Sequence, residues 1–124
     1  MTRDRRPTVA IDEAMRKAVA MGFTVLSVES GGVLPFDFAF GDGDCISLAR
    51  VRRLKCAGFR PEMIERSCRS GIAELRGMGI TPDLFRELWV RGPARTWHRY
   101  TVLPDAVIEL ENWDIPDKDA GNGD

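Results

Sequence analysis

Cysteine and histidine, the residues that most often hold a transition metal, are scarce in this chain. Its 124 residues include one histidine and three cysteines, and Cys45, Cys56 and Cys68 form no C-x-x-C pair. Metal sites of the cysteine and histidine type need several such ligands at short spacing, so this class of site is not indicated. An odd number of cysteines gives no disulfide framework either. We interpret all three as reduced, buried hydrophobic side chains of a cytoplasmic protein.

Long apolar stretches are absent as well. No apolar run follows the charged start at Met1–Arg6, and no stretch approaches the length of a membrane span, so we expect neither a signal peptide nor a membrane segment. The length fits one domain. We expect this domain over residues 10–112, after a frayed or disordered terminus at residues 1–9 and before an acidic, disordered tail at residues 113–124.

Charge of one sign does not dominate the composition. The 18 basic and 19 acidic residues give a formal net charge of −1, which argues neither for nor against a nucleic-acid partner. The distribution is uneven, because Arg50–Arg76 holds eight basic and three acidic residues, whereas Asp105–Asp124 holds seven acidic residues and one lysine. A basic centre is compatible with a phosphate-binding face, and equally with arginines at solvated helix and loop positions.

The spacing of apolar residues predicts the order α-β-β-β-α-β-β, with a further short strand over Ala106–Glu111. This order indicates an α/β fold in which a mixed central sheet is flanked by helices. The expected elements are a helix from about Ala10 to Met21, strands Phe23–Val28, Phe36–Phe40 and Cys45–Arg53, a helix from Pro61 that ends at Gly77 and Gly79, and strands Leu84–Arg91 and Trp97–Leu103.

One acidic residue lies inside an apolar strand. Strand periodicity places the three phenylalanines of Phe36–Phe40 on one face and Asp37 on the other. A tight turn over Gly41–Asp44 leads to the return strand, on which Arg50 and Arg52 share a face. An Asp among phenylalanines is costly without a partner or a function, so we interpret Asp37 either as a metal ligand or as a structural carboxylate paired with one of these arginines.

The layout around Asp37 resembles the restriction-endonuclease-like (PD-(D/E)XK) superfamily, in particular the archaeal Holliday junction resolvases. The resemblance covers roughly residues 10–111 and implies the fold of that superfamily, magnesium as cofactor and DNA as partner. Many relatives act as dimers, so a homodimer is also expected, although no stretch identifies a dimer face. The matching segments are Met21-Gly22-Phe23, Ser30-Gly31-Gly32, Pro35-Phe36-Asp37, Gly41-Asp42-Gly43, Ile46–Arg53, Glu87-Leu88-Trp89-Val90 and Trp97-His98-Arg99-Tyr100.

The catalytic motif of that superfamily is altered in this chain. In the superfamily an Asp and a Glu hold the metal, and a Lys two residues after the Glu serves the attacking water. Asp37 matches the Asp, but Arg50 stands where the Glu is expected and Arg52 where the Lys is expected. A fixed positive charge repels magnesium instead of binding it. Arginine does bind phosphate well, so we expect Arg50, Arg52, Arg53 and Lys55 to contact a nucleic-acid backbone.

Three functions follow from this motif. The leading hypothesis is a nuclease-derived protein that binds the DNA backbone with a degenerate metal site. The first alternative is an active magnesium-dependent endonuclease or junction resolvase, in which Asp37 and Glu65 hold the metal and Arg52 replaces the lysine. Some relatives supply the second carboxylate from the helix after this strand, which makes Glu65 a candidate, although we favour a solvated Glu65 paired with Arg69. Glu13 of the first helix is a further candidate. The second alternative is a protein-interaction scaffold that does not bind nucleic acid.

The remaining aromatic and histidine residues carry weaker signals. Trp89, Trp97 and Tyr100 are of the type that stacks on bases, but large aromatics in strands more often belong to the core. His98 has no partner motif, and we expect it on a strand surface.

Overall fold

A single sheet of six strands runs through the described part of the chain. The computed structural model describes residues 7–29, 34–41, 43, 45–55, 60–78, 84–93 and 96–110. The elements in these ranges are α1 (Thr8–Ala20), β1 (Thr24–Val28), β2 (Phe38–Gly41), β3 (Ile46–Arg53), α2 (Pro61–Ser67), α3 (Arg69–Arg76), β4 (Leu84–Arg91), β5 (Trp97–Val102) and β6 (Val107–Glu109). The α/β order expected from the sequence is therefore confirmed, with the second helix present as two.

The strands lie in the sheet in their chain order, β1 to β6. All neighbouring strands are antiparallel except β3 and β4, which are parallel. A parallel pair needs a crossover, and α2 and α3 supply it. The carboxyl ends of β3 and β4 consequently lie side by side, with Arg53 next to Arg91 in the strand register.

Two apolar clusters cover the two faces of the sheet. We call the side on which α1 packs the α1 face and the opposite side the α2–α3 face. The core of the α1 face consists of Ala10, Ile11, Ala14, Ala18, Phe38, Phe40, Ala49, Val51, Trp89 and Trp97. The core of the α2–α3 face consists of Ile64, Cys68, Ile72, Leu75, Leu88, Val90, Tyr100, Val102 and Val107. Trp89, Trp97 and Tyr100 are therefore core residues, as the sequence indicated.

The prediction that three phenylalanines share a face was wrong for Phe36. Phe38 and Phe40 pack on the α1 face, but Phe36 packs on the α2–α3 face, beside Leu54. Because β2 begins only at Phe38, the alternation of the strand does not extend back to Phe36. As predicted, the side chain of Asp37 lies on the other face of the sheet from those of Phe38 and Phe40.

The helix expected from Pro61 is divided at Cys68. This residue leaves helical geometry, with φ −116° and ψ 32°, although its N–H still donates to the carbonyl of Ile64. One helical wheel therefore does not describe both α2 and α3. The first helix also begins at Thr8, earlier than the expected Ala10, whereas the turn between β2 and β3 has the expected positive φ, 118° at Gly43.

Several expectations lie outside the described residues. They concern the terminus at residues 1–6, the loop Ser30-Gly31-Gly32, Cys56, and the tail at 113–124. Within the described ranges, no helix is both long enough and apolar enough to span a membrane.

A buried ion pair, which the sequence analysis did not identify, joins β4 to β5 on the α1 face. Arg99 donates from Nε and Nη2 to the two carboxylate oxygens of Glu87, each at 2.9 Å. Trp89 Nε1 donates to the same carboxylate at 2.8 Å. The guanidinium also lies 5.6 Å from the ring centroid of Phe23 and 5.5 Å from that of Trp89. These contacts stabilise a carboxylate that is only 6% exposed.

We predict that Glu87→Gln lowers the free energy of unfolding by about 3 kcal/mol, because it leaves Arg99 buried without its charged partner. Glu13→Gln is a matched control, since it makes the same chemical change at the more exposed ion pair to Arg91 and should cost about 1 kcal/mol or less. Urea denaturation measures both values, and equal losses would contradict a special role for the buried pair.

Candidate functional site

Asp37 lies at the entrance to β2 and points to the α2–α3 face. Its N–H donates to the carbonyl of Ala49 at 2.7 Å, which ties the residue before β2 to β3. Its carboxylate Oδ2 accepts the N–H of Val51 at 2.8 Å. The side chain is 2% exposed. Asp37 is therefore a buried carboxylate held by the backbone of the neighbouring strand.

Arg50 follows Ala49, the residue that pairs with Phe38 and accepts the N–H of Asp37, and its side chain reaches Asp37. Arg50 Nη1 is 3.9 Å from Asp37 Oδ1, and Arg50 Nη2 is 2.9 Å from Oε1 of Glu74 on α3. One guanidinium thus joins the start of β2, the middle of β3 and the helix above them. We call Asp37, Arg50 and Glu74 the arginine bridge.

The two carboxylates of the arginine bridge have very different exposure. The side chain of Asp37 is 2% exposed, that of Arg50 is 16% exposed, and that of Glu74 is 50% exposed. The Nε of Arg50 is also buried and has no hydrogen-bond acceptor among the described residues. Arg50 therefore has one fixed partner inside the protein, one partner at the surface and unused donor capacity.

Arg52 lies beside Arg50 on the same face of β3, under α3. Its Nη1 donates to the carbonyl of Val51 at 3.1 Å. A Cβ at position 71 would lie 3.4 Å from Arg52 Nη2 and 3.6 Å from Arg50 Cγ, so α3 packs over both arginines. Burial lowers the pKa of Arg52, and repulsion from Arg50 lowers it further, against the opposing effect of Asp37. Since an arginine stays protonated at neutral pH, two cations share this face.

The end of β3 adds further positive charge. Arg53 and Lys55 are exposed, and neither forms an ion pair with another residue in the part of the chain that the structure describes. The neighbouring Arg91 pairs instead with Glu13 at 2.8 Å. Glu13, a candidate ligand from the first helix, therefore has a structural partner in Arg91.

Glu65, the proposed second ligand, is not brought to Asp37. It lies 3.7 Å from Arg76, and the expected pair with Arg69 is not formed. The carboxylate that reaches the site is Glu74, which the sequence analysis missed. The sequence carried no clear signal for Glu74, because the segment leaves helical geometry at Cys68 and one helical wheel does not describe both parts.

The residues around Asp37 do not fit a divalent metal site. Magnesium requires several oxygen ligands in near-octahedral geometry. Asp37 already accepts a backbone N–H and faces a permanent cation, and the nearest additional carboxylate in the arginine bridge contacts the same guanidinium. Within the described ranges, no group of three or more His, Cys, Asp and Glu side chains is placed to hold a metal ion.

Comparison with known proteins supports the fold through structure alone. No protein-family model matches the chain, and no curated protein matches it. Among solved structures, the chain is similar to Hjc, a Holliday junction resolvase from the hyperthermophilic archaeon Archaeoglobus fulgidus. The fold is restriction-endonuclease-like. The TM-score is 0.52, and the match covers 85% of this chain and 88% of the resolvase. At 17% sequence identity, this likeness concerns the fold and not the activity.

We predict that Asp37→Asn lowers the free energy of unfolding by about 2 to 3 kcal/mol, because Arg50 loses its buried charged partner. Asp12→Asn, at an exposed pair with Arg16, is the control and should change stability by less than about 0.5 kcal/mol. The sign of the effect is informative. In a metal site without its metal, neighbouring carboxylates repel one another, and replacing one of them by Asn raises the free energy of unfolding. An increase for Asp37→Asn would therefore contradict the interpretation of Asp37 as a structural partner of Arg50.

Proposed function

We propose that this protein is nuclease-derived, that it binds the phosphate backbone of DNA through the basic end of β3, and that its metal site is degenerate. The observation that carries this proposal is the position of Arg50, whose guanidinium contacts both Asp37 and Glu74. A cation that is part of the chain thereby meets the electrostatic requirement of these carboxylates. It also opposes the entry of a metal ion.

The charge of this region supports a phosphate ligand. Arg52, Arg53 and Lys55 follow one another at the end of β3, and Arg53 and Lys55 are exposed. Arginine binds phosphate with two parallel hydrogen bonds, and lysine binds it as a point charge. Contacts of this kind position a protein on nucleic acid without reading its sequence. We therefore expect binding that depends strongly on salt and weakly on base sequence.

A specific observation also supports a second candidate, the magnesium-dependent endonuclease. Asp37 and Glu74 converge on one guanidinium, so these two carboxylates would be the available ligands if Arg50 moved away. In this alternative Glu74 takes the role proposed for Glu65, and Arg52 provides the positive charge near the attacking water. The homodimer expected from the resemblance stays a prediction under both functions.

We predict that the protein binds labelled duplex and four-way-junction DNA with an affinity that falls steeply with salt concentration. The double substitution Arg53→Ala with Lys55→Ala should weaken binding and reduce the salt slope by about two, since each phosphate contact contributes about one. Arg16→Ala is the control, because this arginine is 73% exposed on α1 and pairs with Asp12.

Two results of that experiment would contradict the proposal. Absence of any salt-sensitive binding would leave only the interaction scaffold. Cleavage with magnesium or manganese that is lost in Asp37→Ala would establish the endonuclease instead.

We further predict that Arg50→Glu combined with Arg52→Lys creates a response to divalent metal. Without metal the variant should be less stable than the wild type, because three carboxylates then lie together. Manganese should raise its melting temperature by preferential binding to the folded state. Arg53→Glu reverses a charge next to the site and should show no comparable increase. An equal increase in the wild type would show that Asp37 binds metal despite Arg50.

A further inference from the structure

Arg50 contacts two carboxylates, the buried Asp37 and the half-exposed Glu74. We infer that Glu74 is a built-in competitor of phosphate, whose carboxylate occupies the position on Arg50 that an oxygen of the DNA backbone takes in the complex. The inference rests on the proposed function and adds a regulatory residue to the same site. It follows from the geometry of the arginine bridge and from the unequal exposure of its two carboxylates.

Asp37 is the fixed partner. Its side chain is 2% exposed, and the N–H of Val51 holds its Oδ2 at 2.8 Å. Separating Arg50 from Asp37 would therefore deprive a buried carboxylate of a contacting guanidinium, which is unfavourable. The distance of 3.9 Å from Arg50 Nη1 to Asp37 Oδ1 is an ion-pair contact and longer than a hydrogen bond, so Nη1 keeps donor capacity for another oxygen.

Glu74 is the exchangeable partner. Its side chain is 50% exposed on the surface of α3, and its contact with Arg50 Nη2 is 2.9 Å. An ion pair with one exposed member contributes little to stability, because water and salt screen it and a long side chain must be ordered. A phosphate oxygen offers the same guanidinium a charged acceptor of comparable hydrogen-bond geometry. Glu74 can consequently leave without unfolding the site.

The surroundings of Arg50 favour an additional anion. Arg52 lies on the same face of β3, and its pKa is lowered by burial and by the charge of Arg50. Asp37 and Glu74 offset part of this lowering, and an incoming phosphate in contact with Arg50 would lie close enough to offset it as well. The exposed Arg53 ends β3, and the exposed Lys55 lies two residues beyond it, so a DNA backbone held there lies near the carboxyl end of the strand that carries Arg50. An isolated anion, which Arg53 and Lys55 do not hold in place, must displace Glu74 from Arg50 by its own affinity alone.

The test compares Glu74→Gln with Glu65→Gln. Both substitutions remove one negative charge from the α2–α3 segment, but Glu65 pairs with Arg76 and not with the arginine bridge. We expect Glu74→Gln to increase affinity for duplex DNA about fivefold and to steepen the salt slope by about one, because one more phosphate contact forms. Glu65→Gln should change affinity by less than twofold, about the size of a screened long-range effect. Equal increases in both variants would overturn the inference.

A second measurement separates this inference from the proposed function. Sulfate is an oxyanion that reports on Arg50 without DNA, and melting temperatures are compared in sulfate and in chloride at equal ionic strength. We expect sulfate to stabilise Glu74→Gln more than it stabilises the wild type or Glu65→Gln.

If no variant binds DNA but sulfate acts selectively on Glu74→Gln, the proposed function fails and the competitor role of Glu74 at Arg50 stands. If DNA binds equally well to all three proteins and sulfate is not selective, the function stands and the competitor role fails. If no protein binds DNA and sulfate does not act selectively on Glu74→Gln, both the proposed function and the competitor role of Glu74 fail.

Discussion

A carboxylate buried beside a phenylalanine-rich strand needs a positive partner, and Arg50 provides it for Asp37. Their pairing is set by the β2–β3 register, in which Phe38 lies opposite Ala49. The same guanidinium reaches Glu74 on α3, and that helix packs over Arg50 and Arg52 at Gly71. One ion-pair system therefore connects the helix layer to the β2–β3 hairpin, with Asp37 as its buried member and Glu74 as its exposed member.

Under the proposed function, the arginine bridge replaces a metal ion within a restriction-endonuclease-like fold. Two carboxylates directed at one position can be neutralised by a divalent ion or by a guanidinium, but the two cations exclude each other at this distance. The likeness to the archaeal resolvase extends over 85% of the chain at 17% identity. A sheet and its hairpin can persist while the charges on one face change, because the packing of the apolar core does not depend on them.

Sequence periodicity predicted the features that depend on a regular strand. It placed Asp37 opposite the phenylalanines of β2 and directed Arg50 to the same face as Asp37. It failed where regularity ends. Phe36 precedes the strand and turns to the other face. The apolar stripe continues through Cys68 although the helix does not, so a wheel drawn for one helix could not indicate that Glu74 reaches the site. Such breaks depend on tertiary packing, which outweighs local propensity.

We propose that Arg50, and not a metal ion, neutralises Asp37. Manganese titrated into the isotopically labelled wild-type protein tests it directly, because the N–H of Val51 donates to Asp37 at 2.8 Å and its amide signal is broadened by any paramagnetic ion bound there. We predict that the amide signal of Val51 keeps its intensity at manganese concentrations that broaden only the amide signals of exposed acidic residues. Selective loss of the Val51 signal at substoichiometric manganese would contradict the neutralisation of Asp37 by Arg50 and establish a metal site at Asp37.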